Sequence, residues 1–149
     1  MKKLNLGAGN VIKEGYTNRD IVALEGIDCV HDLNEFPWPW EDNTFDVVLA
    51  FDVIEHLDDF MNVMNEIHRV LKKNGHCILQ VPYWNSWGAT ADPTHKKTFN
   101  EFTFHFLDPN SKFNKERYYY SSIKFTIEEE YFSFALLSPY LTLPFIGKR

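Results

Sequence analysis

Cysteine is nearly absent: the 149 residues hold two, Cys29 and Cys77. Each falls in a separate apolar stretch, so they form neither a disulfide framework nor a ligand-spaced pair. They read as buried free thiols of a reducing compartment. Positive charge is also in deficit. Fifteen lysines and arginines against 21 acidic residues leave a net charge of −6, which excludes a general grip on nucleic acid, since that needs a basic face. No apolar run is long enough to cross a membrane as a helix. Met1-Lys2-Lys3 is basic, but a glycine turn at Gly7 interrupts the apolar run that a signal peptide needs. The expected location is therefore cytoplasmic. Repeats, low-complexity stretches and linkers are missing as well. The chain reads as one domain, 1–149, long enough to bury about 68–70% of the unfolded chain's surface.

What is present is an ordered series of strand signals. Lys3–Leu6 is a first strand and lifts directly into Gly7-Ala8-Gly9-Asn10. Glycines there allow positive φ and let backbone N–H groups approach a ligand closely. The third glycine of a dinucleotide fingerprint is missing, with Ile12 in its place. Tyr16–Ile21 is a second strand and Asp28–His31 a short third. Phe45–Phe51 is almost continuously apolar, as strands of a helix-covered parallel sheet are. Phe60, Val63, Met64, Ile67, Val70 and Leu71 then form one helical stripe, with Asp58 or Asp59 to cap its start and Asn74-Gly75 to end it. His76–Pro82 is a fifth strand. Strand, helix and strand with short joints form a right-handed crossover, so the sheet is mostly parallel and its ligand belongs at the strands' carboxyl ends. Beyond Pro82 the spacing predicts a loop over Tyr83–Lys97, a short helix over Asn100–Phe106, and strands in Tyr118–Phe134 centred on Tyr118–Tyr120 and Ile123–Ile127.

Taken in order, Leu4–Asn10, Gly15–Asp20, Asp32-Leu33, Phe36-Pro37-Trp38, Phe45–Ala50, Asp52–Leu57 and Arg69–Gly75 resemble the class I SAM-dependent methyltransferases over about two thirds of the chain. The resemblance implies an α/β fold with a Rossmann-like, mostly parallel sheet. Residues 1–82 would form the cofactor-binding core, and 83–149 the substrate-side loop and terminal strands. It also implies S-adenosyl-L-methionine as cofactor. Asn5, Leu6, Gly7, Ala8 and Gly9 would lie at its amino-acid part, and Asp20 with Ile21 at the ribose. Asp32 and Leu33 would meet the adenine, and Asp52 and Val53 the methionine end. A carboxylate suits two vicinal hydroxyls because it offers two acceptor oxygens in one plane. The residues also admit plainer roles: Asp20 and Asp32 as turn or cap residues, Asp52 as the cap of a turn over Ile54–Leu57, and His56 as a packed side chain bonded to a carbonyl.

Methyl transfer is an in-line displacement for which the protein chiefly supplies orientation. Where the acceptor must lose a proton, the candidate bases are His56 and His95, the latter with Asp92 as partner. Tyr83, Trp84 and Trp87 are positioned to wall off water or stack on a flat acceptor. His95, Asp92 and His105 match no compact ligand spacing, so no metal site is expected. The acidic charge favours a small-molecule acceptor.

Only six residues separate Gly9 from Tyr16, where a parallel crossover usually takes about a dozen or more. The first crossover helix is therefore expected to shrink to a turn around Val11–Glu14. The end at Gly147-Lys148-Arg149 likewise suggests an abbreviated terminus. The apolar tail Phe132–Ile146, broken by Pro139 and Pro144, is open to three readings: packing on the sheet, a contact with another copy or a partner protein, or contact with a membrane surface. Two alternatives to an active enzyme follow. One is a catalytically inactive methyltransferase-like module acting with a partner, which the short crossover favours. The other is a nicotinamide-dependent dehydrogenase, which the missing third glycine disfavours.

Overall fold

The computed structural model describes residues 1–134 and 141–148. Eight strands form one sheet: β1 Lys3–Leu6, β2 Thr17–Asp20, β3 Cys29–Val30, β4 Phe45–Phe51, β5 Leu71–Pro82, β6 Thr126–Glu130, β7 Ser133–Phe134 and β8 Leu141–Lys148. Their order is β3-β2-β1-β4-β5-β8-β6, with short β7 beside β8. The first five are parallel, and β8 runs antiparallel between β5 and β6. Among the described residues there are three α-helices, α1 Phe60–Val70, α2 Trp87–Ala91 and α3 Lys112–Glu116, and three 3₁₀ turns, Ile54–His56, Phe104–Phe106 and Tyr118–Tyr120.

α1 forms where its apolar stripe demands. Asp59 is the cap, accepting the Asn62 N–H at 3.0 Å, and Val63, Met64, Ile67 and Val70 are fully buried. Against them lie Leu4 and Leu6 of β1, Val48 and Ala50 of β4, and Cys77, Leu79 and Val81 of β5, the alternate residues of the three central strands. The intervening residues Val47, Phe51, Ile78 and Gln80 face the other way and stay half-buried. The helix stops one residue sooner than its stripe predicts and well before the Asn74-Gly75 end expected for it, which lies inside β5. Leu71 turns extended (φ −72°, ψ 137°) and opens β5.

The first crossover has no helix, as the six-residue gap requires. Polar side chains hold it instead. Asn18 accepts from the Lys13 N–H and the Asn5 amide, and donates to the carbonyls of Lys13 and Tyr16. Asn5 also donates to the Val11 carbonyl.

Several expectations need correction. Cys29 is partly exposed on β3, because that edge strand carries no covering helix; Cys77 is buried as expected. The loop over Tyr83–Lys97 contains α2, capped by the Ser86 hydroxyl on the Ala89 N–H. The helix expected over Asn100–Phe106 is only a 3₁₀ turn at Phe104–Phe106, and α3 follows it. Tyr118–Tyr120 forms an exposed 3₁₀ turn rather than a strand; β-favouring residues lose that preference where no strand is at hand to pair. The apolar tail supplies β8, which pairs with β5 from His76↔Lys148 to Pro82↔Thr142. Its segment 135–140 lies outside the described residues.

Candidate functional site

The carboxyl ends of the parallel strands converge on one edge of the sheet, where a ligand is expected. Two tight approaches shape that edge. Gly7, at the end of β1, has φ +61°, and a Cβ there would lie 2.6 Å from a Val53 methyl, so only glycine lets the tips of β1 and β4 close. At the end of β4, Asp52 takes φ 50°, left-handed backbone that a non-glycine residue adopts at a cost. Gln80 of β5 holds it there twice: its carbonyl accepts the Asp52 N–H, and its side-chain amide donates to Asp52 Oδ2, both at 2.9 Å.

On one side of Asp52 lies a cleft of about 620 Å³, lined by Gly7, Arg19, Asp20, Ile21, Asp32, Leu33, Val53 and His56 among others. A smaller hollow of about 410 Å³ continues it over Asn5, Ala8, Gly9 and Phe51. The acids have partners already. Asp20 accepts the N–H groups of Gly9 (2.8 Å) and Val22 (3.1 Å), and Asp32 that of Asn34 (2.8 Å). Each carboxylate keeps further acceptor sites, since it offers about four. The Ala8 N–H is bonded to the Arg19 carbonyl at 2.9 Å. Leu6 is buried in the core, and the Asn5 side chain serves the crossover.

Arg19 was not anticipated from the sequence. Its side chain is 3% exposed, and Nε and Nη2 have no hydrogen-bond partner among the described residues. Burial pulls its pKa down to about 10, against the opposing pull of Asp20 and Asp32. A charged residue inside β2, just before the predicted ribose acid, was the available signal.

On the other side of Asp52 lies a second cavity of about 550 Å³, lined by Asp52, Glu55, His56, Pro82, Trp87 and the loop 91–95. The turn Ile54–His56, which directly follows β4, presents Glu55 and His56 to it. The backbone carbonyl of Glu55 accepts the N–H groups of Lys96 (2.8 Å) and Lys97 (3.1 Å), pinning the loop that carries Asp92 and His95. The three candidate catalytic residues do meet. His56 Nδ1 lies 2.9 Å from the Thr94 hydroxyl, which donates to Asp92 Oδ1 at 2.6 Å. His95 Nδ1 lies 3.3 Å from the Ala89 carbonyl, its Nε2 is 4.0 Å from Asp92, and the two imidazoles pack edge to face at 4.6 Å. Burial and the neighbouring His95 lower the His56 pKa, while the Thr94 bonds hold the Asp92 carboxyl low. Glu55 joins them unannounced: 1% exposed, both carboxylate oxygens without a hydrogen-bond partner among the described residues, and Oε1 3.9 Å from His95 Nε2. Burial, with Asp52 and Asp92 nearby, pushes its pKa up to about 8. Its position inside Asp52–Leu57 was the only sequence signal. His105 lies apart, 3.1 Å from Glu130, and Trp87 but not Trp84 reaches the cavity wall.

Residues 10–79 match the family model of the methyltransferase domain. That match spans somewhat less than half of the chain, and over its whole length the chain shares the fold of solved SAM-dependent methyltransferases. Among relatives, the glycine/sarcosine/dimethylglycine N-methyltransferase of Actinopolyspora halophila is 35% identical over 72 residues, 46% of this chain and 13% of that protein. The matched segments amount to 13–29% of the length of the curated relatives. A SAM-dependent methyltransferase from Archaeoglobus fulgidus shares the fold (TM-score 0.67, 18% identity) over 99% of this chain and 86% of its own. So does the 1,6-didemethyltoxoflavin-N1-methyltransferase of Burkholderia thailandensis, solved with 1,6-didemethyltoxoflavin and S-adenosylhomocysteine (TM-score 0.66, 13% identity; 99% and 70% covered).

Proposed function

We propose that the protein is a SAM-dependent methyltransferase acting on a small molecule. The observation that carries this reading is the meeting of two cavities at Asp52 and His56, a cofactor-sized cleft on one side and a separate polar pocket on the other. Space over the glycine turn supports it: a Cβ on Gly9 would meet nothing within 4 Å. The donor set fits as well. Asp20 and Asp32 retain acceptor sites for ribose hydroxyls and an adenine amino group, and orphaned Arg19 N–H groups border the same cleft. When bound, the cofactor supplies the activated methyl and its own leaving group. The chain's residues do the rest. The closed tips of β1 and β4 fix the depth of the cleft. The wall of Pro82, Trp87 and Pro93 narrows the acceptor's approach, and such alignment contributes on the order of 7–11 kcal/mol. His56, linked to Asp92 through the Thr94 hydroxyl, or His95 would take a proton from the acceptor, a contribution of about 10²–10⁴-fold. The two free cysteines suit a cytoplasmic setting, and among the described residues no helix is long and apolar enough to cross a membrane.

A second reading keeps the fold without the activity. The Ala8 and Gly9 N–H groups are already used within the chain, which favours a methyltransferase-like module working with a partner protein. Calorimetry with SAM, S-adenosylhomocysteine and NAD separates the readings. Micromolar binding of S-adenosylhomocysteine without NAD binding supports the enzyme, and loss of more than tenfold in affinity with Asp20→Ala, about 1.4 kcal/mol, supports the ribose contact. Because Asp20 also holds Gly9, the variant's thermal midpoint is recorded alongside. An unchanged dissociation constant removes Asp20 from the site, and no binding of any nucleotide leaves the module.

A further inference from the structure

Glu55 is the least explained group in the molecule. A buried carboxylate normally has partners, because leaving it bare costs the desolvation of a charge. Here both oxygens lack a hydrogen-bond partner among the described residues, and the side chain lines the acceptor-side cavity. What surrounds it is arranged to give electron pairs. One ligand atom each from Glu55, His56 and His95 lies within 4.8 Å of the other two.

The hydrogen bonds behind the imidazoles fix their tautomers. The Ala89 carbonyl can only accept, so His95 Nδ1 carries a proton and, in the neutral ring that a metal binds, Nε2, 3.9 Å from Glu55, holds the lone pair. The Thr94 hydroxyl spends its proton on Asp92, so it accepts from His56 Nδ1–H and leaves that ring's Nε2 unprotonated. Metal-binding histidines are typically held this way, the outer N–H given to a carbonyl or to a carboxylate-backed group. The pinning of residues 96 and 97 on the Glu55 backbone keeps the two halves of the cluster together.

We propose that Glu55, His56 and His95 form a binding site for a divalent transition-metal cation, of which Zn²⁺ is the best-matched example. Two imidazole nitrogens and one carboxylate suit Zn²⁺ or Fe²⁺ better than Mg²⁺, which takes oxygen ligands. Bond lengths of about 2.0–2.2 Å require the donors to close in by about 1 Å, within reach of side-chain torsion. Three protein ligands leave a coordination position open toward the cavity and Asp52. On the methyltransferase reading, with which this part stands or falls, that position would hold the acceptor's oxygen or nitrogen and lower its pKa, so that its proton is lost to solvent and the two imidazoles act as ligands in place of the base. The acceptor would then be a hydroxyl- or amine-bearing chelator.

The test needs neither cofactor nor acceptor. Chelator-treated full-length protein is titrated with Co²⁺, followed by visible absorption and calorimetry, and then back-titrated with Zn²⁺. The expected result is one Co²⁺ per chain displaced by Zn²⁺ but not by Mg²⁺. Glu55→Gln and His95→Asn should each weaken binding at least tenfold, with His105→Asn as an unaffected control. Should either site variant misfold, ethoxycarbonylation of the unaltered chain decides: Zn²⁺ should shield His56 while His31 stays reactive. Absence of saturable binding, retention of affinity in both site variants, or equal His56 labelling with and without Zn²⁺ overturns the proposal. S-adenosylhomocysteine binding, measured separately, reports on the cofactor cleft whatever the metal result.

Discussion

The β4–α1–β5 unit and the β1–β2–β3 edge share one sheet but are held by different forces. In the first, a capped helix lays fully buried Val63, Met64, Ile67 and Val70 on apolar strands. In the second, neither crossover has a helix, and Val11, Ile12, Val22 and Val30 stand 41–65% exposed. Side-chain hydrogen bonds do the joining there: Asn18 to the first crossover, Asp28 to the Asn18 N–H at 2.7 Å, Asp20 to the glycine turn. Apolar burial is non-directional and strong in sum, whereas such bonds contribute about 1 kcal/mol each and are directional. The helix-backed half therefore holds the turn Ile54–His56 on a well-buried base. The edge, where the cleft lined by Asp20 and Asp32 lies, leaves more apolar side chains exposed, and regions with few buried apolar contacts open most readily.

The largest expected effect breaks the comparison on its stronger side. Ile67→Ala removes a fully buried side chain from the α1 face, and large-to-small changes in such cores cost about 2–5 kcal/mol. Urea unfolding should show that loss as a lower midpoint with an unchanged slope. A change of under about 1 kcal/mol would mean the helix does not carry the stability assigned to it.

A smaller effect probes the polar side. Asn18→Ala deletes four side-chain bonds at once, strands the Lys13 N–H and leaves the Asn5 amide only its bond to the Val11 carbonyl. Unpaired buried donors cost about 1–3 kcal/mol. Amide exchange should accelerate selectively in residues 7–16 and leave α1 protected. Equal acceleration throughout would show that the edge and the helix-backed half open as one unit.

The same contrast explains what could be read in advance. The strands β1 to β5 and α1 were legible because their signals are local: an apolar run, a 3.6-residue stripe, a cap. Asp20, Asp32, Asp52 and His56 were legible as candidates from the motifs that carry the resemblance, Asp92 and His95 from their place after the fifth strand, and all six border the two cavities. What escaped depends on distant partners. Strand β8 exists because β5 and β6 offer it pairing edges, which its proline-broken sequence does not announce. Tyr118–Tyr120 has strand composition but no edge to pair with. Glu55 and Arg19 look like ordinary surface charges until the fold buries them, and burial is not a property of one residue's neighbours in sequence.

The smallest effect tests the joint between the two regions. The crossover from β3 to β4 has no helix of its own and is clamped onto α1. Glu66 accepts the Trp38 N–H at 2.6 Å, and Arg69 binds Glu66, Asp42 and the carbonyls of Trp38 and Trp40. Burial raises the Glu66 pKa, but the bonds from Arg69 and Trp38 outweigh it and leave the carboxyl below its ordinary 4.5. A carboxyl depressed in the folded state contributes stability that is present above the unfolded value and lost as pH falls through the folded one. The wild-type chain should therefore lose part of its stability on passing from neutral pH to below 4.5. Glu66→Gln should start lower and lose less over the same interval. Parallel acid limbs for the two proteins, followed by thermal unfolding at each pH, would show that this clamp does not couple the cleft-bearing edge to the helix.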